Sequence, residues 1–145
     1  MRKVRNPYIK RDLITDTISC LFILLFIYAA ISKLLAGNTF KEQVGQSPLL
    51  TSYSSIIVIL IPFIEIFLSI LLIKTKTRLA ALYGSFGLMV LFTLYIIAIT
   101  KLSDYIPCSC GGILESMNWN QHLVFNCIFV VLAIIAILLY KPAKL

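Results

Sequence analysis

Four long runs of apolar residues divide the chain, and polar residues collect only between them and at the ends. The runs cover about Ile18–Leu35, Ile56–Ile73, Leu79–Thr100 and Leu123–Tyr140. They are continuous rather than alternating, which disfavours a membrane β-barrel. A membrane-spanning helix needs about 20 apolar residues, and a backbone in lipid must satisfy its own hydrogen bonds. Each run therefore predicts a transmembrane helix, despite many β-branched Ile and Val. The expected fold is an all-α integral membrane protein, an antiparallel four-transmembrane-helix bundle forming one domain over residues 1–145. Longer loops are expected at about residues 37–55 and 101–122, and a tight one between the middle two helices.

Composition agrees with the pattern. Of the 145 residues 60% are hydrophobic and 13% charged, against roughly 45–50% and about 25% in an average soluble domain. That excludes a soluble cytosolic enzyme, a disordered chain and a small secreted disulfide scaffold. The first apolar run follows a basic start, but it is longer than a signal-peptide core of roughly 7–15 residues. Ala29-Ala30-Ile31-Ser32-Lys33 makes a poor cleavage site, so the run is read as a retained helix.

Charge sets the expected orientation. Ten of the 13 Lys and Arg residues lie in the N-terminal tail (Arg2, Lys3, Arg5, Lys10, Arg11), the 74–78 loop (Lys74, Lys76, Arg78) and the C-terminal tail (Lys141, Lys144). Only Lys33, Lys41 and Lys101 fall on the other side. By the positive-inside rule both termini are expected to be cytoplasmic and the two longer loops to face outward. The formal charge of +7 then meets anionic lipid. The basic residues are scattered at helix ends without interleaved aromatics, so nucleic acid is not an expected partner.

The outward 101–122 loop holds the most distinctive chemistry, Pro107-Cys108-Ser109-Cys110-Gly111-Gly112. In an oxidising compartment, cysteines one residue apart can close a small strained ring, and strained disulfides exchange readily. A structural disulfide or two idle thiols are the plainer readings. A zinc site is disfavoured because His122 is the sole histidine. Asn118 and Gln121 carry a capping-box pattern that starts the fourth helix. The positive end of that helix would favour a thiolate at Cys108 or Cys110. His122, in its first turn, could carry a proton for the pair or simply sit at the interface. Asn126 follows four residues later on the same face. Trp119 reads as an interfacial anchor or as a contact for a quinone.

Three further features belong to the helices. Glu65, in Ile61-Pro62-Phe63-Ile64-Glu65, is the one acid deep in an apolar run. A buried membrane charge needs a partner, and Lys33 is the best match in depth. The pair is read as structural, with a proton relay as the alternative. Cys20 and Cys127 lie at different depths and are expected to pack as small apolar residues. Asp12 and Asp16 are expected to be solvated or to cap the first helix.

Taken together, these residues resemble a known group. The basic start, Ala30-Ile31-Ser32-Lys33-Leu34, Phe40, Ser47-Pro48 and the Ile61–Glu65 segment resemble the DoxX-like superfamily. The Pro107–Gly112 segment followed by Trp119, His122 and Asn126 is similar to its branch named after the methylamine-utilisation protein MauE. The resemblance implies a redox-associated inner-membrane protein linked to disulfide formation in exported proteins, beside a thioredoxin-fold partner. It also resembles the four-helix thiol oxidases of the vitamin K epoxide reductase and disulfide-bond formation B kind, which deliver electrons to a quinone. Those carry Cys-x-x-Cys and a second pair, whereas this chain has one Cys-x-Cys, which leaves the missing thiols to a partner. The expected function is therefore thiol–disulfide exchange on exported cysteine-containing proteins through Cys108, Cys110 and His122, with Trp119 and Asn126 toward a quinone. Two other classes compete. One is a small four-helix transporter built around Glu65, and the other is a non-catalytic anchor or chaperone for the thioredoxin-like partner.

Overall fold

The computed structural model describes residues 7–46, 50–102 and 117–140. Four helices account for nearly all of them: α1 Pro7–Gly45, α2 Ser54–Ile73, α3 Arg78–Leu102 and α4 Trp119–Leu139. Each contains a stretch long and apolar enough to cross a membrane, and there is no strand among the described residues. They pack as a ring in chain order, α1 against α2, α2 against α3, α3 against α4 and α4 back against α1.

The first helix departs from expectation. The apolar run predicted a helix to about residue 35 and a loop from 37, but α1 continues to Gly45. At ~1.5 Å per residue a straight helix of 39 residues would reach roughly 58 Å, far beyond a bilayer core of about 30 Å. The chain bends instead at Gly37, whose backbone angles (φ 13°, ψ −84°) leave the helical region. Beyond the bend, Phe40 and Val44 lie one turn apart and both are buried. Their spacing lets one face of this polar-looking segment cover the end of the bundle. Thr51 then ties a short 3₁₀ turn, Thr51–Tyr53, back to the Gly45 carbonyl with a 2.9 Å hydrogen bond.

The centre of the bundle is apolar and closely packed. Phe22 of α1 meets Phe129 of α4 edge to face at 5.2 Å between ring centroids. Phe26, Leu72, Leu82 and Met89 fill the space around them. Ala81, Ser85, Ala133 and Ala136 are fully buried. Small residues of this kind let helix backbones approach where lipid supplies no hydrophobic drive between helices. Gly84 does the same against α2: a Cβ there would stand 2.7 Å from Leu68 Cδ2. The buried hydroxyls of Ser19, Ser69 and Ser85 each donate to the carbonyl four residues back in their own helix, so they add no unpaired polarity. Many large apolar side chains, Leu35, Phe63 and Leu138 among them, point outward. In water such a surface would aggregate, and lipid is its natural solvent.

The end of the bundle at residues 74–77 is laced with polar contacts. Arg78 pairs with Asp16 of α1 and its Nε donates to the Leu72 carbonyl at 3.2 Å. The Tyr140 hydroxyl donates to the Thr75 carbonyl at 2.9 Å. Asp16 is therefore neither merely solvated nor a cap, because it is held by a cation 62 residues away. Cys20 and Cys127 also differ from expectation. Both are free thiols exposed on the outside of the bundle rather than packed within it.

Candidate functional site

The opposite end of the bundle encloses a cavity of about 430 Å³. All four helices contribute to its wall, and the segment beyond the Gly37 bend closes over it through Phe40 and Val44. Most of the lining is apolar. The exceptions sit together: Lys33 from α1, Glu65 from α2, and Trp119, His122 and Asn126 from the start of α4.

The positions of the α4 residues follow from how that helix begins. The Gln121 side chain accepts the Asn118 backbone N–H at 3.0 Å, which is the return half of the capping box. This fixes the first turn, so that Trp119, His122 and Asn126 fall at i, i+3 and i+7 on one face. Their shared face looks into the cavity. The Trp119 and His122 rings stack, with centroids 6.2 Å apart and planes 18° from parallel. Trp119 is thus a wall of the cavity as well as a residue at the helix end.

Lys33 and Glu65 meet directly. Lys33 Nζ donates to Glu65 Oε1 at 2.6 Å, and the ammonium also stands 5.7 Å from the centre of the Phe92 ring. Glu65 is wholly buried. In so apolar a setting neither charge is tolerable alone, and the short charge-assisted bond with the cation–π contact compensates for lost hydration. The α2 helix runs on through Pro62, which is itself buried.

Three buried polar atoms remain without a hydrogen-bond partner among the described residues: Glu65 Oε2, His122 Nδ1 and Asn126 Nδ2. All three belong to residues lining the same cavity. Native structures leave few buried polar atoms unpaired, so three around one cavity need an explanation. They form a mixed set. A carboxylate oxygen accepts, an amide nitrogen donates, and an imidazole nitrogen does either. Among the described residues no group of three His, Cys, Asp or Glu could hold a metal ion.

Cys108 and Cys110 lie outside the described residues. The structure does fix the ends of the segment that carries them, Leu102 at the close of α3 and Asn118 before α4. Of the residues singled out from sequence, Lys33, Glu65, Trp119, His122 and Asn126 come together around one cavity. Sequence reasoning missed the roof: Phe40 entered only through the family resemblance, as a loop residue, and Val44 not at all. Their four-residue spacing was the available signal, hidden by the polar residues on either side.

The family model of the methylamine utilisation protein MauE matches residues 11–139. No curated protein and no solved structure matches the chain.

Proposed function

The chain belongs to the MauE family, and from that premise we propose that it is a thiol–disulfide oxidoreductase of the bacterial inner membrane. Its redox pair is Cys108 and Cys110, and its partner is a thioredoxin-fold or other exported cysteine-containing protein. The observation that carries this reading is the position of the Cys-x-Cys segment in the chain. It connects α3 to the capped first turn of α4, where Trp119 and His122 line the cavity.

In the proposed reaction a partner thiolate attacks one sulfur of the Cys108–Cys110 disulfide. The other cysteine leaves as a thiolate, and a mixed disulfide links the two proteins. The partner's second thiolate then attacks its own sulfur in that bridge and closes the partner's disulfide. The pair is left as two thiols, so two electrons have passed from partner to pair. The start of α4 presents the positive end of a helix, which favours thiolate character nearby. His122, in that first turn, serves to take up or return the proton. Lys33 and Glu65 hold the wall of the site. Glu65 is bonded to Lys33 at 2.6 Å, which argues against a carboxylate kept free to carry a transported cation. The ten-to-three division of basic residues supports tails inside and the cysteine segment outside.

The test replaces each cysteine of the pair singly by Ser. In a single Ser variant the remaining thiolate can attack the disulfide of an oxidised partner, the reverse of the exchange above. With no second thiol in the pair to displace it, one variant should accumulate a mixed disulfide, visible on non-reducing gels and identifiable by mass spectrometry. An impermeant thiol reagent should label the reduced pair from outside intact spheroplasts. If neither variant traps a protein and the wild-type pair resists strong reductant, the bond is structural and the reading fails.

A further inference from the structure

We infer that the cavity between the four helices binds the ring of a lipid-soluble quinone. The inference rests on the oxidoreductase reading for its purpose, but its evidence is the cavity itself. Three features narrow the ligand. The first is size, because about 430 Å³ lies in the range of small-molecule sites, roughly 300–1,000 Å³. The second is polarity. Glu65 Oε2 can only accept while ionised, Asn126 Nδ2 can only donate, and His122 Nδ1 can do either. A ligand satisfying all three must offer both hydrogen-bond donor and acceptor groups. A quinone ring and its hydroquinone supply these on opposite edges. The third is access. The wall includes Leu60 of α2 and Leu91 of α3, both exposed, so a route to lipid between those helices is part of the inference. An isoprenoid tail can leave by that route while the ring stays beside Trp119 and Phe92.

Competing ligands fit less well. A lipid phosphate or a fatty-acid carboxylate would face Glu65, and the cation nearest that carboxylate, Lys33, is already engaged by it. A pure hydrocarbon would leave the three polar atoms unpaired.

A quinone held there supplies a two-electron, two-proton acceptor. Closing the Cys108 and Cys110 thiols to a disulfide releases two electrons and two protons, and the ring takes up both as a hydroquinone. The chain's own part is to hold the ring. Asn126 donates to one oxygen, while Glu65 and His122 receive the hydroxyls of the reduced form.

Trp119 is the only tryptophan in the chain and lines the cavity, so its fluorescence reports on the site. The full chain carrying Cys108→Ser and Cys110→Ser, in quinone-free nanodiscs, is titrated with decylubiquinone, with decylbenzene as a control lacking oxygens. The quinone should quench Trp119 saturably and the control should not. Asn126→Leu should weaken the binding by about tenfold, as expected for losing one hydrogen bond to a desolvated group. A photoreactive azidoquinone should label cavity-lining peptides of α1, α2, α3 or the start of α4, which keeps the test decisive should Asn126→Leu fail to fold. Non-saturable quenching, labelling spread over the outer surface, or equal binding by a folded Asn126→Leu protein would overturn the inference. Because both cysteines are absent from this protein, failure here leaves the thiol-exchange reading standing. Failure to trap a partner likewise leaves the binding result standing.

Discussion

At the 74–77 end of the bundle, polar side chains are tied across elements: Asp16 to Arg78, Arg78 to the Leu72 carbonyl, Tyr140 to the Thr75 carbonyl. At the other end, Glu65, His122 and Asn126 each keep a buried polar atom without a partner among the described residues. The contrast is one of purpose. The first end spends its polar groups on joining helices near the membrane edge, where water also competes and each contact is individually weak. The second sets polar groups in an apolar enclosure, where an unpaired one is costly and a ligand that pairs it is held firmly.

Substitutions can press on this difference. The largest effect is expected at Lys33. Lys33→Met strips the buried Glu65 of its cation and should cost about 3–5 kcal/mol, seen as lost abundance and a lower Tm in nanodiscs. Adding Glu65→Gln removes the orphaned charge and should restore much of that stability. A Lys33→Met protein as stable as wild type would show that the pair is not structural, and Glu65→Gln with full abundance but no activity would assign Glu65 to proton transfer. An intermediate effect is expected at Gly84, where α3 leaves no room for a Cβ beside Leu68 of α2. Gly84→Ala drives a methyl against Leu68 and should cost about 1–3 kcal/mol, with Leu68→Val relieving most of it. Unchanged thermal unfolding would mean that α2 and α3 separate easily there. The smallest effect belongs to Asp16→Asn. Asp16 is 58% exposed, so losing its pair with Arg78 should cost under about 1 kcal/mol and become undetectable at high salt. A loss comparable to that of Lys33→Met would erase the distinction between the two ends.

Much of this arrangement was legible in the sequence, for identifiable reasons. Continuous apolar runs announce helices in lipid because no other open-chain structure satisfies the backbone there, and the structure follows them within a few residues for α2, α3 and α4. Lys33 and Glu65 could be matched because two lone charges at similar depth in apolar helices have few alternatives. The His122–Asn126 spacing placed both on one face before any coordinates. What stayed hidden depends on three-dimensional closure. The helix beyond Gly37 was obscured by Asn38, Thr39, Lys41 and Glu42, which read as a loop although Phe40 and Val44 keep helical spacing. The Asp16–Arg78 pair joins distant segments, and Asp16 had a satisfactory explanation in solvent. The cavity could not be seen because a void is defined by what several helices leave unfilled.

The ion pair also bears on how the chain is made. Lys33 and Glu65 belong to α1 and α2, which leave the ribosome ahead of α3 and α4, so a hairpin of the two can neutralise both charges before the later helices have been synthesised. Each alone would burden membrane insertion by about 2.5–3.5 kcal/mol for a charge near the bilayer centre. Joined early, they enter as one nearly neutral unit and fix the register of the first hairpin. The later pair of helices then assembles against a template already set.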